Sequence, residues 1–422
     1  MGGIHNNGKS YAISKEVVWQ AYGRVKANQG AAGVDGESLA GFDKDLKNNL
    51  YKIWNRMSSG SYFPPPVRLV EIPKGTTGAT RPLGIPTVSD RIAQTVVKLY
   101  LEPMVEPRFH PDSYGYRPGK SALDAVATTR QRCWRQDWVI DLDIRQFFDS
   151  LDHDLVMRAV RQCTDLPWIL LYVERWLKAP LERADGSREE RTRGTPQGSV
   201  ISPVLANLFM HYAFDEWLRR TYPHIQFERY ADDAIIHASS LYEAKQVLRA
   251  VGERLAACGL ELHPEKTKIV YCKDSNRKGR HDHVTFDFLG FTFRPRSAKS
   301  RQGEYFYSFL PAVSKKAAKA IRATIRSWRR EVWHTNLSLE DIARFVNPYV
   351  RGWVNYYGRF YRAELASVLR YLERSLGQFV ARKYKRLKRH KRRAVYWLGE
   401  VARREPGLFE HWQLGIRSAT GR

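Results

Sequence analysis

The chain reads as an α+β protein of several lobes, in which a mixed region of strands and helices is followed by a helical bundle and a strongly basic end. Three observations predict this. Apolar residues alternate with period two around Trp138–Ile144 and on both sides of Tyr230, as in half-buried strands. From Ser314 onward the apolar period is helical. A length of 422 residues exceeds what one ordinary core accommodates and suggests two to four domains.

The elements follow in order. Val17, Val18, Tyr22 and Val25 have helical spacing, a Gly-rich stretch runs from Gly30 to Gly36, and a second amphipathic run follows, giving helix, loop, helix. Pro64–Pro66 forces an extended path into a strand over 67–72. A polar loop and a second extended piece, 81–86, complete a hairpin flanked by Lys74 and Arg81. A helix from Ser89 is expected to close at Pro103 and Pro107. In the strand at 138–144, Ile140, Leu142 and Ile144 share one face and Asp141 and Asp143 the other. Asp152 caps the next helix. Residues 166–193 read as a helix and a charged loop, 194–199 as a turn-rich element, and Ser202-Pro203 as the N-cap and first position of another helix.

Two β-like runs, 225–229 and 234–238, bracket Tyr230-Ala231-Asp232-Asp233, and an amphipathic helix spans 242–258. Residues 286–293 read as a strand pair around Gly290, and the basic stretch 294–302, with no acidic residue, as a linker. In the bundle, Ile321, Ile325, Trp328 and Val332 form one stripe, Ser338 and Asp341 a capping box, Asn347-Pro348 a helix end, and Leu365 to Phe379 a third helix. Of the twelve residues 382–393, nine are lysine or arginine and none is acidic. Such density calls for phosphate nearby.

Lysine and arginine outnumber aspartate and glutamate 70 to 44, a net charge of +26, so a nucleic acid is the expected partner. No stretch approaches the about 20 uninterrupted apolar residues of a membrane span, and the first ten residues lack a signal-peptide core. Cys133, Cys163, Cys258 and Cys272 contain no Cys-x-x-Cys pair, so reduced thiols in a cytoplasmic protein are expected, rather than a zinc ribbon or disulfides.

An Asp-Asp pair in a turn is either an ordinary solvated turn or half of a metal site. Nucleotidyl transfer uses two divalent cations ~4 Å apart, and Asp143, Asp232 and Asp233 could supply their carboxylates if the two elements pair. Carboxylates ~4 Å apart repel by about 4 kcal/mol at an effective dielectric of 20, so such a cluster implies a cation. Mg²⁺ suits oxygen donors.

Several motifs then occur in a telling order: 143–149 (Asp-Ile-Arg-Gln-Phe-Phe-Asp), 194–203 around Gln197-Gly198, 230–233, 263–268 around Lys266, and 288–291 (Phe-Leu-Gly-Phe). Together they resemble the palm motifs of group II intron-encoded reverse transcriptases/maturases. Segments 33–36, 72–74, 81–91 and 113–119 resemble that family's finger motifs, and 348–358 its thumb, called domain X. The resemblance implies a right-hand polymerase, with fingers at 1–136, palm at 137–311 including a finger-like insertion at about 163–195, thumb at 312–380 and a basic DNA-binding region at 381–422.

By that resemblance, Asp143, Asp232 and Asp233, with the Ile144 carbonyl, would hold two Mg²⁺ ions. Phe148 would be the gate selecting deoxynucleotides, or else a core side chain. Gln197 and Gly198 would lie beside the incoming nucleotide, and Lys74 and Arg81 would grip its triphosphate unless they only form a solvated hairpin. Lys266, or nearby Lys268, would protonate the leaving group. Phe288, Leu289 and Gly290 would support the primer end, and Arg351, Tyr356, Lys383, Arg386 and Arg389 would contact RNA or DNA. The implied partners are the intron RNA, an RNA template with a DNA primer, target DNA and deoxynucleoside triphosphates, in a bacterial cytoplasm. Many relatives carry a His-Asn-His endonuclease domain, and this sequence shows neither its paired cysteines nor its site, so second-strand cleavage is not expected. Alternatives are a related reverse transcriptase recruited to phage defence or CRISPR acquisition, and an RNA-binding splicing cofactor without polymerase activity.

Overall fold

The structure, a computed structural model, describes residues 9–73 and 80–419. In chain order the strands are β1 (Val67–Pro73), β2 (Thr80–Ile85), β3 (Trp138–Leu142), β4 (Leu181–Glu182), β5 (Arg188–Glu189), β6 (Gln226–Tyr230), β7 (Asp233–Ala238), β8 (Lys268–Tyr271), β9 (Phe286–Phe288), β10 (Phe291–Lys299) and β11 (Tyr305–Val313). They form sheets ordered β2-β1-β4-β5, β6-β7-β3-β8 and β11-β10-β9. The chain divides into two compact units, Met1–Ser121 with Ile140–Lys268, and Ala122–Val139 with Ile269–Arg422.

In the first unit, helix Lys15–Asn28 starts at Ser14, whose hydroxyl accepts from Glu16 N, and buries Val18, Ala21, Tyr22 and Val25 at i, i+3, i+4 and i+7. Helix Val88–Val105 is largely buried and runs through Pro103, where the sequence predicted a stop. Pro103 sits in the last turn, where one missing N–H matters least, and Pro107 falls in a separate 3₁₀ turn, Glu106–Arg108. β1 and β2 pair antiparallel from Arg68↔Ile85 to Pro73↔Thr80. The expected charged loop after helix Pro167–Lys178 is a small hairpin, β4–β5, whose first strand lies parallel to β1. Helix Ser202–Met210 takes Ile201, not Ser202, as its N-cap, because the Ser202 hydroxyl is bonded to Thr195 Oγ1 at 2.6 Å.

In the second unit, β9 and β10 join through a two-residue turn, Leu289 (φ 49°) and Gly290 (φ 80°), both in the left-handed region. The expected linker at 294–302 is instead β10 and its turn, paired with β11 from Phe291↔Val313 to Lys299↔Tyr305. Arg296 is buried in it because its guanidinium donates to Glu364, Leu310 O and Thr292 O. Helix Lys315–Glu331 buries Ile321, Ile325 and Trp328 of the predicted stripe, while the fourth member, Val332, is the half-buried C-cap just beyond the helix.

Helix Leu339–Tyr357 begins with the predicted capping box, Ser338 with Asp341. Ser338→Ala is expected to lower stability by about 1 kcal/mol, read as a lower unfolding midpoint of the full chain. The helix does not end at Asn347-Pro348. The missing N–H of Pro348 is tolerated between the buried Val346 and Val350, and Asn347 fixes the turn by donating to Leu408 O and accepting from Glu410 N. Beyond helix Arg362–Lys383, the basic segment folds onto the same core. Helix Lys391–Arg404 buries Ala394, Leu398, Val401 and Ala402, while Lys391, Arg392 and Arg393 face solvent. Glu373 fastens the end of the chain, accepting from His411 Nε2 (2.9 Å), Trp412 Nε1 (2.8 Å) and Ser418 N (2.8 Å).

Candidate active site

The first unit brings two acidic elements to one cleft. β3 is held by buried Ile140 and Leu142, and the chain leaves it at Asp143. The next residues are pinned to 261–267: His263 N donates to Asp143 O (2.8 Å), Arg145 N donates to Glu261 O (2.8 Å), and Ile144 bridges Leu262. Lys266 Nζ lies 3.3 Å from Asp143 Oδ1, a solvent-exposed pair that contributes at most about 1 kcal/mol.

β6 and β7 close to Tyr230↔Asp233, leaving Ala231 and Asp232 as the turn. Ala231 has φ 58°, a conformation an alanine adopts only under external restraint. Arg229, fully buried, supplies part of that restraint. Its Nη1 donates to Ala231 O (2.9 Å) and Asn207 Oδ1 (3.1 Å), its Nη2 to Ser113 Oγ (2.8 Å) and Asp215 Oδ2 (2.6 Å), and its Nε to Asp215 Oδ1 (2.7 Å). Segment 112–115 runs beside it, with Tyr114 N donating to Arg229 O and Asn207 Nδ2 to Gly115 O. A Cβ on Gly115 would overlap the Ala231 amide, so only glycine lets this segment pass the turn. Gly115→Ala is therefore expected to lower primer extension by about 10²-fold, the effect of a misplacement near 1 Å, with the helical circular-dichroism signal kept.

Asp143 and Asp232 line a cleft of about 780 Å³ together with Arg81, Ile144, Phe148, Gln197, Gly198 and Lys266. Eight predicted site residues thus meet in one place. Phe147 is buried and Phe148, packed edge-on against it at 5.3 Å, is half-buried, and both belong to the cleft lining. Lys266 lines it and Lys268, the first residue of β8, does not. Gln197 and Gly198 are carried by a loop docked on β2: Gly84 N donates to Gln197 O (2.7 Å), and a Cβ on Gly198 (φ 113°) would sit 2.5 Å from Gly84 O.

Other predicted residues lie elsewhere. Asp233 heads β7, is exposed and is not in the cleft lining. Lys74 lies outside the described residues. Phe288, Leu289, Gly290, Arg351, Tyr356, Lys383, Arg386 and Arg389 belong to the second unit. There Tyr356 Oη donates to Leu289 O (2.8 Å), bracing the turn, Arg351 pairs with Glu410 (3.1 Å), and Lys383 donates to Thr335 O. Arg386 and Arg389 are exposed.

Sequence reasoning missed three contributors. Tyr116 lines the cleft at φ 58°; burial raises its phenol pKa, and the Asp232 carboxylate adds to the rise. Gln94 and Arg229, both buried, hold the two loops from behind. Tyr116 stood within a recognised motif, but nothing in the sequence pairs Arg229 with Asp215.

Among the described residues, no three carboxylate, histidine or cysteine side chains converge closely enough to form a cation site as they stand. The donors that do share the cleft, Asp143 and Asp232, are hard oxygen ligands, a set that fits a hard divalent ion.

Comparison with known proteins identifies the family. Residues 72–293 match the reverse transcriptase (RNA-dependent DNA polymerase) family, and 318–397 match the group II intron maturase-specific domain. The chain is similar to protein YkfC of Escherichia coli K12, 31% identical over 312 residues that cover 64% of this chain and 77% of that protein. It is also 31% identical to the group II intron-encoded protein LtrA of Lactococcus lactis over 204 residues, 48% of this chain and 33% of LtrA. A putative COX1/OXI3 intron 1 protein of Saccharomyces cerevisiae is 29% identical over 217 residues, 25% of its length. The chain belongs to the reverse transcriptase family, as an RNA-directed DNA polymerase joined to a group II intron maturase domain, and its fold is that family's right-hand polymerase.

Proposed function

We propose that this polymerase copies the RNA of a group II intron and also binds that RNA to assist its splicing and mobility. The observation that supports it most is the convergence of Asp143 and Asp232 with Arg81, Phe148 and Gln197, from separate segments, in one cleft. In this reading Asp143 and Asp232, which share the cleft with Ile144 and its carbonyl, would hold two Mg²⁺ ions, and Asp233, next to Asp232 but outside the cleft lining, would add its charge to the site. Bound there, the ions would polarise the primer hydroxyl and offset phosphate charge. Arg81 and Lys74 bind the triphosphate, and Arg81 offers it a bidentate fork. Phe148 blocks the space of a ribose 2′-hydroxyl, so deoxynucleotides are selected. Lys266, held beside Asp143, carries a proton to the leaving pyrophosphate. The Leu289-Gly290 turn, braced by Tyr356, supports the primer end.

The maturase half rests on basic surface. Arg351, Lys383, Arg386 and Arg389 contact phosphates of the intron RNA and, during mobility, of target DNA. Among the described residues no helix is long and apolar enough to cross a membrane. With bacterial relatives at hand, we place the protein in a bacterial cytoplasm.

The test measures binding of the full chain to the intron RNA around its reading frame as salt is varied. Deleting the basic segment would strip Leu398 and Phe409 from the core, so exposed charges are changed instead. Replacing Arg386, Arg389 and Lys391 with glutamine is expected to weaken binding and to flatten the log K against log salt slope by about one for each phosphate no longer neutralised. Equal affinity for an unrelated structured RNA of the same length would count against splicing assistance.

A further inference from the structure

One buried side chain links helix Val88–Val105 to the loop that carries Gln197 and Gly198. Gln94, 1% exposed, accepts through Oε1 from Val200 N (2.8 Å) and Ile201 N (3.2 Å). Its Nε2 donates to Asp90 Oδ2 at 2.9 Å. Asp90, also 1% exposed, accepts on Oδ1 from Tyr62 Oη (2.9 Å) and Trp176 Nε1 (2.7 Å). Burial pushes the Asp90 carboxyl up to about 6 against these hydrogen bonds.

The direction of this chain of bonds is specific. A primary amide presents an acceptor to one side and a donor to the other, which neither an apolar nor a carboxylate side chain of that length does. The two N–H groups it captures immediately follow Gln197, Gly198 and Ser199, which form a wall of the cleft. The front of that wall is tied to β2 by Gly84 N and Gln197 O; at its back the Gln94 carbonyl holds the Val200 and Ile201 amides, while Ile201 O accepts from Val204 N and Leu205 N at the start of the next helix. Gln94 itself is absent from the lining.

We propose that Gln94 is a positioning residue for nucleotide selection: held in one orientation by Asp90, it fixes the depth of the Gln197–Ser199 wall against the incoming nucleotide. This rests on the reading above that Gln197 and Gly198 face that nucleotide.

The groups that face this pair are few. Tyr62 lies on the segment before β1; Trp176 and Tyr172 come from helix Pro167–Lys178, and Arg56 reaches Tyr62 by its charge. Burial holds the Tyr62 phenol far above its ordinary value and pushes Tyr172 up to about 12, so both stay neutral at working pH. Of the pair and these neighbours, only Asp90 is brought near the working pH range, at about 6, and a carboxyl placed beside it would share its buried surroundings.

The test is steady-state primer extension by the full chain on an RNA template, reading nucleotide KM, kcat and misincorporation for Gln94→Met, Gln94→Glu and Gln197→Ala, each against the unaltered chain at the same pH. Gln94→Met is expected to raise KM and misincorporation by about tenfold, the scale of lost hydrogen bonds, with kcat on the matched nucleotide much less affected. Gln94→Glu should match it at pH 8 and recover towards the unaltered KM near pH 6. There a shared proton lets the new carboxyl donate to Asp90 while accepting from Val200 and Ile201. A merely structural role gives no such recovery, since lost packing does not return with a proton.

A folded Gln94→Met with unchanged KM and misincorporation overturns the proposal, and so does a flat pH response of Gln94→Glu. The latter comparison is made within one protein and decides the matter even where Gln94→Met does not fold. If Gln197→Ala shifts KM while both Gln94 variants do not, this proposal alone falls. If Gln197→Ala also shifts nothing, the assignment of the loop to the nucleotide falls with it.

Discussion

Asp232→Ala is expected to reduce primer extension on an RNA template by at least about 10³-fold, the upper range for removing one group that stabilises transition-state charge. The side chain is half-exposed in the β6–β7 turn, and the neighbours that hold the turn, Arg229 and Gly115, act on backbone atoms, so the substitution leaves the fold in place. Asp143→Asn should have an effect of the same size, because it removes charge from the other wall of the same cleft. Lys266→Ala should cost less, since its pairing with Asp143 is exposed and screened. Chelating divalent ions should abolish extension in the unaltered chain, and Mg²⁺ should restore it. Extension by Asp232→Ala within tenfold of the unaltered rate would sink the assignment.

The parts of this site that could be read from sequence are those fixed locally. Period-two alternation and turn residues a few positions away locate β3, β6 and β7 to within two residues, the strand expected over 138–144 ending at Leu142, and so put Asp143 near the end of one strand and Asp232 in the turn between the other two. The misreadings share one physical cause, partners distant in sequence. Arg294 to Gln302 looks like a linker because it is basic, yet Arg296 and Arg294 both meet Glu364 from another element. Pro348 looks like a helix end because its local cost is high, and the compensating bonds of Asn347 reach residues 408 and 410. In the basic segment, Ala394, Leu398 and Val401 have helical spacing, but the surrounding charges hid that pattern. Gln94 had no local signature at all, because its donor and acceptor partners lie on either side of it in space.

Arg229 presents the sharpest case, since an arginine near a strand end reads as solvated and here is fully buried with Asp215 at 2.6 Å. Arg229→Met should destabilise the first unit by about 3–5 kcal/mol, because Asp215 would remain buried with its charge unpaired. Pairing Arg229→Met with Asp215→Leu removes that charge and should recover much of the loss, a coupling that a double-mutant cycle in urea would read directly. Activity should not recover with stability. The Ala231 carbonyl, Asn207 and Ser113 also depend on the guanidinium, and no apolar side chain replaces those bonds, so the turn bearing Asp232 loses its restraint. A double variant that regains both stability and primer extension would show that Arg229 serves only to neutralise Asp215. Regained stability with extension still depressed by about tenfold or more, the scale of the lost hydrogen bonds, would show that the buried ion pair and the turn bearing Asp232 are held by the same guanidinium for separable reasons.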